Sequence, residues 1–263
     1  PYPCSLHDAR SFAMVDVIPG AEAWSHDGGP IGVLVLHGFT GNPSSVRGLA
    51  EAFAEAGHSV EMPRLPGHGT SMDDLLDKTW QDWSGEATEA LARLAARTET
   101  QFVAGQSLGG SLTCWLAVRH PELAGLICVN PAVVPSDDMR TLVAQMIEAG
   151  DSVIPGIGSD ISQPGVTESA YEDTPLAPLL SLFDASAEFG EELGSISQPL
   201  LLFTSPEDHV VPPSDSDTLA DAVSGPVERV SCSRSYHVAT QDYDKELIFE
   251  RSVEFVERVA ASD

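Results

Sequence analysis

Lysine is almost missing from this chain. Lys78 and Lys245 are the two it has, and all Lys and Arg together number 13 against 40 Asp and Glu, a formal charge of -27. A field of that sign repels phosphate backbones and anionic headgroups, so nucleic acid and anionic membranes are excluded as partners, and a small neutral substrate suits it better than a polyanion. Long apolar runs are missing too. None approaches the roughly 18 residues that a membrane helix needs, so no stable membrane insertion is expected. Cysteine is scarce: Cys4, Cys114, Cys128 and Cys232 form no C-x-x-C pair, and Cys114 and Cys128 sit inside apolar segments, as buried free thiols do. No leader segment is recognisable, so a cytoplasmic location is expected, with secretion left open. The eight histidines show no H-x-x-x-H or H-E-x-x-H spacing, and no G-x-G-x-x-G or GK[ST] loop occurs. Neither a metal nor a cofactor is expected. Oligomeric state leaves no trace in the sequence.

What is present is a rhythm. The 263 residues, 42% hydrophobic, are ample for one large core. "IGVLVLHG" (31–38) is a short continuous apolar run, the mark of a strand buried on both faces. A helical stretch follows in which Val46, Leu49, Ala50 and Phe53 share a face. Strand-like "HSVEMPRL", a helix from Thr79 to Thr98, strand-like "QFVAGQ", a helix closed by Pro121 and strand-like "LAGLICVN" come next. This β-α-β-α-β order predicts an α/β fold with a mostly parallel sheet covered by helices on both sides. From Pro131 to Gln198 the rhythm breaks: two helices are expected ("MRTLVAQMIEAG" and "PLAPLLSLFDASAEFG"), a Gly/Pro/Ser-rich stretch lies between them, and no strong strand appears. So long an interruption points to a lid. The division expected is therefore a core of 1–130 and 199–263 with a cap of 131–198. "PLLLFTS", a helix, "PVERVSC" and a final helix from Lys245 to Ala260 complete the core.

Within that frame, Gly105-Gln106-Ser107-Leu108-Gly109 stands between a strand and a helix. The pentapeptide alone is weak: with 22 Gly and 28 Ser, roughly 0.2 accidental matches to G-x-S-x-G are expected in a chain this long. Its setting is stronger. A serine on a sharp strand-to-helix turn exposes its oxygen at the sheet edge, flanking glycines avoid clashes, and the helix points its positive end at a developing oxyanion.

A serine hydroxyl needs a base, and the base needs an orienting acid, in the chain order Ser, acid, His. After Ser107 the histidines are His120, His209 and His237. His120 closes the helix after the elbow, three turns away. His209 adjoins the best acid candidate, and neighbours in a loop usually point apart. His237, in the loop after the last strand, is the favoured base. Asp208, in the loop after "LLLFT", is the favoured acid, with Glu207 its rival; Asp215 and Asp217 suit the start of the following helix. An oxyanion hole needs two backbone N–H groups, and Leu108 and Phe39 are placed to supply them. His37 and His68 are expected to brace loops, and Met72-Asp73-Asp74 to be a solvated face.

"VLVLHGFTGNP", "PRLPGHG", "GQSLGG", "PEDHVVPP" and "SYHVATQDYDKELI" together resemble, in order and spacing, the α/β-hydrolase fold, and more narrowly the bacterial carboxylesterase and monoacylglycerol lipase group. The resemblance implies a serine hydrolase cleaving carboxylic esters or acylglycerols through an acyl-enzyme on Ser107, with Asp208 and His237 completing the triad. It also implies that 131–198 is the small cap forming an acyl pocket, which Met139, Leu142, Met146, Ile147 and Val210 are expected to line. Gln106 departs from the His frequent before the nucleophile. A thioesterase or C–C bond hydrolase would use the same triad. A non-catalytic binding module would have no need of it.

Overall fold

In the computed structural model, residues 16–262 are described; Cys4 and His7 lie outside them. The chain enters through an edge strand, β1 (Trp24–His26), and continues as β2 (Ile31–Leu36), α1 (Arg47–Glu55), β3 (Ser59–Met62), a short α2 (Met72–Leu75), α3 (Trp80–Ala95), β4 (Thr100–Gln106), α4 (Leu108–Arg119) and β5 (Gly125–Val129). The interruption carries α5 (Asp137–Glu148), β6 (Val153–Pro155), β7 (Asp173–Pro175) and α6 (Leu176–Gly190). Then come β8 (Leu200–Thr204), α7 (Ser214–Ala222), β9 (Val227–Ser231) and α8 (Lys245–Ala260).

Seven strands form one sheet in the order β1-β3-β2-β4-β5-β8-β9, and every pair is parallel except β1 with β3. Alternation along the strands divides the core. Leu34, Leu36, Val103, Leu126, Cys128, Leu200 and Leu202 face α3, α4 and α6. Val33, Val35, Phe102, Ala104, Ile127, Leu201 and Phe203 face α1 and α8. Both faces of β2, β4, β5 and β8 are covered, which is why these strands read as apolar runs. The helix at Thr79 begins with a reciprocal cap, the Thr79 N–H donating to Asp82 at 2.8 Å, and buries Trp83, Ala87, Ala90, Leu91 and Leu94 along one side.

Three elements escape periodicity. β1, β6 and β7 have three residues each, too few to alternate visibly, and β6 and β7 end in prolines that suit an isolated antiparallel pair. So 131–198 holds two short strands, neither strong enough to show in the sequence. The Met72-Asp73-Asp74 run opens α2, with the Ser71 hydroxyl accepting from the Asp74 N–H. The interruption is also less separate than a lid. α6 packs Leu182 and Phe189 into the main core, Phe189 stacks on Trp80 at 5.5 Å, and the Trp80 N–H donates to the Ser181 hydroxyl at 2.6 Å.

The register aligns the carboxyl ends of the central strands: Leu36 pairs with Gly105, Gln106 with Val129, and Val129 with Phe203. The loops after β2, β4, β5, β8 and β9 therefore emerge at one edge, where parallel sheets place their ligands.

Candidate active site

Ser107 stands between β4 and α4 with φ 54° and ψ -117°, a left-handed conformation that costs a non-glycine residue on the order of 1–3 kcal/mol. Its neighbours impose the turn. A Cβ at Gly105 would run into the carbonyl of Gly109, and one at Gly109 into the carbonyl of Leu36. Both glycines are thus demanded by close approach of backbone to backbone. The turn is held from β5: the Ser107 N–H donates to the Val129 carbonyl at 3.0 Å, and the Ser107 carbonyl accepts from Ala132 N at 3.3 Å.

Leu108 is the first residue of α4, so its N–H has no partner within the helix. Across from it runs the loop after β2. A Cβ on Gly38 would lie 3.4 Å from that of Ser107, which places Phe39 next to the nucleophile candidate. No backbone acceptor takes the Phe39 N–H among the described residues. His37 braces this loop, its Nδ1 bonding the Gly38 carbonyl at 2.9 Å and its Nε2 accepting from Leu65 N at 3.1 Å. Burial, then the neighbouring His68, hold its pKa well below the usual value, so it is a neutral brace. His68 reaches the Pro66 carbonyl at 3.1 Å, and burial lowers its pKa to about 4.

The Asp208 and His237 side chains meet at 2.7 Å, Asp208 Oδ2 against Nδ1, and are 2% and 8% exposed. Asp208 Oδ1 accepts from Val210 N and Val211 N, each at 2.8 Å, so the carboxylate is aimed by its own loop. Glu207 is exposed. His209 turns away, as neighbours do, and pairs with Asp160 at 2.8 Å. No hydrogen bond joins Ser107 to His237 among the described residues, and such contacts often tighten only in a substrate complex. The elbow and the His237 loop are joined otherwise. Asn130 donates to the His237 carbonyl at 2.8 Å, and the Thr240 hydroxyl lies between the Gln106 amide oxygen and the Ser45 carbonyl. Gln106 is thus a strut to the histidine loop.

Four residues carry more of this geometry than sequence spacing suggests: Asn130, Asp160, Glu168 and Asp242. Asp160 Oδ2 accepts from His209 N at 3.1 Å and His237 N at 3.0 Å, so one carboxylate of the interruption grips the acid loop and the base loop together. Asp242 ties the same segment to the histidine loop, accepting from Ser162 N, Gln163 N and Tyr236 N. Glu168 accepts from the Ser45 hydroxyl at 2.6 Å beside Gly41, and burial raises its carboxyl pKa against the opposing pull of that bond and of His237.

Asp160→Ala leaves the buried His237 N–H and the part-buried His209 N–H without their acceptor and is expected to cost about 2–4 kcal/mol of stability, measured by thermal or urea unfolding. Asp160→Asn keeps an oxygen for both donors and is expected to cost less than half as much. Equal losses in the two would show that the N–H grip is not what Asp160 contributes.

Next to this cluster a groove of about 380 Å³ opens between the loop after β5, α5, α6 and the loop after β8. Met139 and Val210 line it, with Val134, Leu182, Phe183 and Val211; Leu142, Met146 and Ile147 do not. Leu142 is 49% exposed on the outer side of α5.

The sequence profile of the Hydrolase_4 family, serine aminopeptidase S33, matches residues 31–244. The chain belongs to this family. It is 45% identical to a thermostable monoacylglycerol lipase of Bacillus sp. (strain H-257) over 91% of its own length and 95% of that protein. It superposes with a TM-score of 0.88 and 42% identity on a chain from a structure of LipS and LipT, two metagenome-derived lipolytic enzymes, covering 92% of this chain and 100% of that one. The monoacylglycerol lipase of Paleococcus ferrophilus shares the fold at a TM-score of 0.73 and 19% identity, over 90% and 99% of the two chains. The protein is thus an α/β hydrolase and an ester hydrolase of the serine hydrolase family. Among the described residues no helix is long and apolar enough to cross a membrane.

Proposed function

We propose that the protein hydrolyses small neutral carboxylic esters, monoacylglycerols foremost, with Ser107 as nucleophile, His237 as general base and Asp208 as its orienting acid. His237 takes the Ser107 proton as the oxygen attacks the ester carbonyl. The N–H groups of Phe39 and Leu108 hold the oxyanion. Collapse breaks the ester bond, and His237 returns the proton to the departing alcohol. Water, deprotonated by His237, then frees the acid and restores Ser107. The observation that carries this reading is the buried Asp208–His237 pair at 2.7 Å, at the sheet edge where the strained Ser107 turn also emerges.

The groove beside Met139 and Val210 would take the acyl chain, and 131–198 would act as the cap over a core of 1–130 and 199–263. Glu168, near His237 and the loop after β2, would accept hydrogen bonds from the hydroxyls of a glycerol leaving group. The charge of -27 favours a neutral ester over a polyanionic acyl-CoA thioester. Cys114, Cys128 and Cys232 are free and buried, and Cys128 is held protonated by its contact with Cys114 and by burial, which fits a cytoplasmic location.

The test compares one acyl chain on three leaving groups: glycerol, p-nitrophenol and coenzyme A. Monoacylglycerol and p-nitrophenyl ester should both turn over faster than the thioester, and a preference for the thioester would overturn the assignment. Glu168→Ala is expected to lose about tenfold more kcat/KM on the monoacylglycerol than on the p-nitrophenyl ester, the value of about one lost hydrogen bond. Equal losses on both would remove Glu168 from alcohol recognition.

A further inference from the structure

One wall of the groove does not match the others. Val134, Met139, Leu182, Phe183 and Val210 are apolar, but Asp215 stands among them. It is the second residue of α7, and its Oδ2 accepts from Val134 N at 3.3 Å. No cation pairs with it among the described residues; the nearby Asp217 is turned to Arg229 at 2.6 Å. Burial raises its pKa to about 6, against the pull of the Val134 and Val133 N–H groups, and the Asp208 charge pushes the same way as burial. Asp208, in the loop after β8, is the charged group acting on it from outside α7. The turn into α5 brings Ser136 and Met139, and α6 brings Leu182 and Phe183, none of which titrates.

We infer that Asp215 is a specificity-determining residue, a carboxyl in the groove wall that admits long apolar acyl chains when neutral and disfavours them when charged. This rests on the groove taking the acyl chain. A chain laid along the wall strips water from the carboxyl without offering a hydrogen bond in return, and a charged group loses far more by that than a neutral one. A short acyl group need not reach it. As pH falls through about 6 the carboxyl becomes increasingly neutral and the wall more apolar; as pH rises it becomes charged and the preference moves to shorter chains.

The experiment measures kcat/KM for a p-nitrophenyl butyrate and a p-nitrophenyl laurate from pH 5 to 8, followed by released fatty acid. Both esters use the same Ser107 and His237, so their shared titration cancels in the laurate-to-butyrate ratio. In the unaltered protein the ratio is expected to fall about tenfold as pH rises through 6, the effect of one further unit of desolvation. Asp215→Asn keeps an oxygen for the Val134 N–H and cannot ionise, so its ratio should stay high and flat. A flat ratio in the unaltered protein, or an unchanged pH dependence in Asp215→Asn, overturns the inference. Met139→Trp tests the groove separately. Met139 is 49% exposed, so the larger ring needs no core space, and it should move the chain-length optimum to shorter esters. If that optimum does not move, the acyl-groove assignment falls and takes the inference with it; if it moves while Asp215→Asn behaves like the unaltered protein, the role of Asp215 alone falls.

Discussion

Ser107→Ala is expected to lower kcat/KM on monoacylglycerols by about a million-fold and to abolish labelling by a fluorophosphonate probe. Removing the hydroxyl removes the atom that attacks; among the described residues the other hydroxyl side chain on a left-handed backbone is Thr40, φ 61°, in the loop after β2. The remainder, some thousand-fold over water, would come from the N–H groups of Phe39 and Leu108 and from binding in the groove. Stability gives an independent reading of the same turn. Alanine has a Cβ and inherits the strain of φ 54°, so Ser107→Ala should leave the unfolding free energy nearly unchanged. Ser107→Gly relieves that strain and should gain about 1 kcal/mol while being equally inactive. More than about a hundredth of the original activity in Ser107→Ala would end Ser107's candidacy as nucleophile. A Gly variant no more stable than the Ala variant would show that the turn stores no strain.

The triad candidates were legible in the sequence because each lies just beyond a recognisable element. β4 and α4 flank Ser107 and β8 precedes Asp208, and strands buried on both faces announce themselves as apolar runs; β9, which precedes His237, is a partly exposed edge strand with a weaker mark. Register then carries the three to one edge. The residues that hold the loops there gave no such signal. Asp160 grips His237 across 77 positions, and Asn130 reaches the same residue across 107. Their sequence surroundings, "GIGSD" and "CVNP", look like an ordinary loop and a strand end, because a carboxylate gripping two backbone N–H groups leaves no periodic mark. The pocket residues divided for a related reason. Helical periodicity in α5 marks which positions share a face but not which neighbour that face meets, so Met139 lines the groove while Met146 and Ile147 do not.

The same contacts change what the interruption does. Between β6 and β7 the chain makes two sets of bonds to the core. Asp160, Ser162 and Gln163 bind the acid and histidine loops, whereas Glu168, Ser169 and Tyr171 bind the loops after β2 and β3, Tyr171 N donating to the Thr40 carbonyl at 3.0 Å and its hydroxyl to the Gly67 carbonyl at 2.8 Å. With α6 packed into the main core, a lid that swings as a whole would have to break both sets. α5, by contrast, buries a single residue, Val143.

Asp208→Asn is expected to lower kcat by about ten-thousand-fold with little change in KM or stability. The size follows from which way the amide must face. Oδ1 of Asp208 accepts two N–H groups, from Val210 and Val211, at 2.8 Å each. Asparagine has one oxygen, and the two backbone donors, that of Val211 part-buried, hold it at that position; reversing the amide would set its NH2 against both. The NH2 therefore faces His237 Nδ1, 2.7 Å away, which now has to accept. That leaves the imidazole proton on Nε2, where it cannot take a proton from Ser107. The fold is intact, the groove still binds, and the base is in the wrong tautomer. Asp208→Ala lacks this inversion, so it should retain more activity than Asp208→Asn while losing more stability, since the two N–H groups lose their acceptor. The comparison is made by steady-state kinetics and thermal unfolding on the three proteins. If Asp208→Asn proves the more active of the two variants, the amide is not held as the two N–H bonds require, and Asp208 serves the site by some means other than fixing the His237 tautomer.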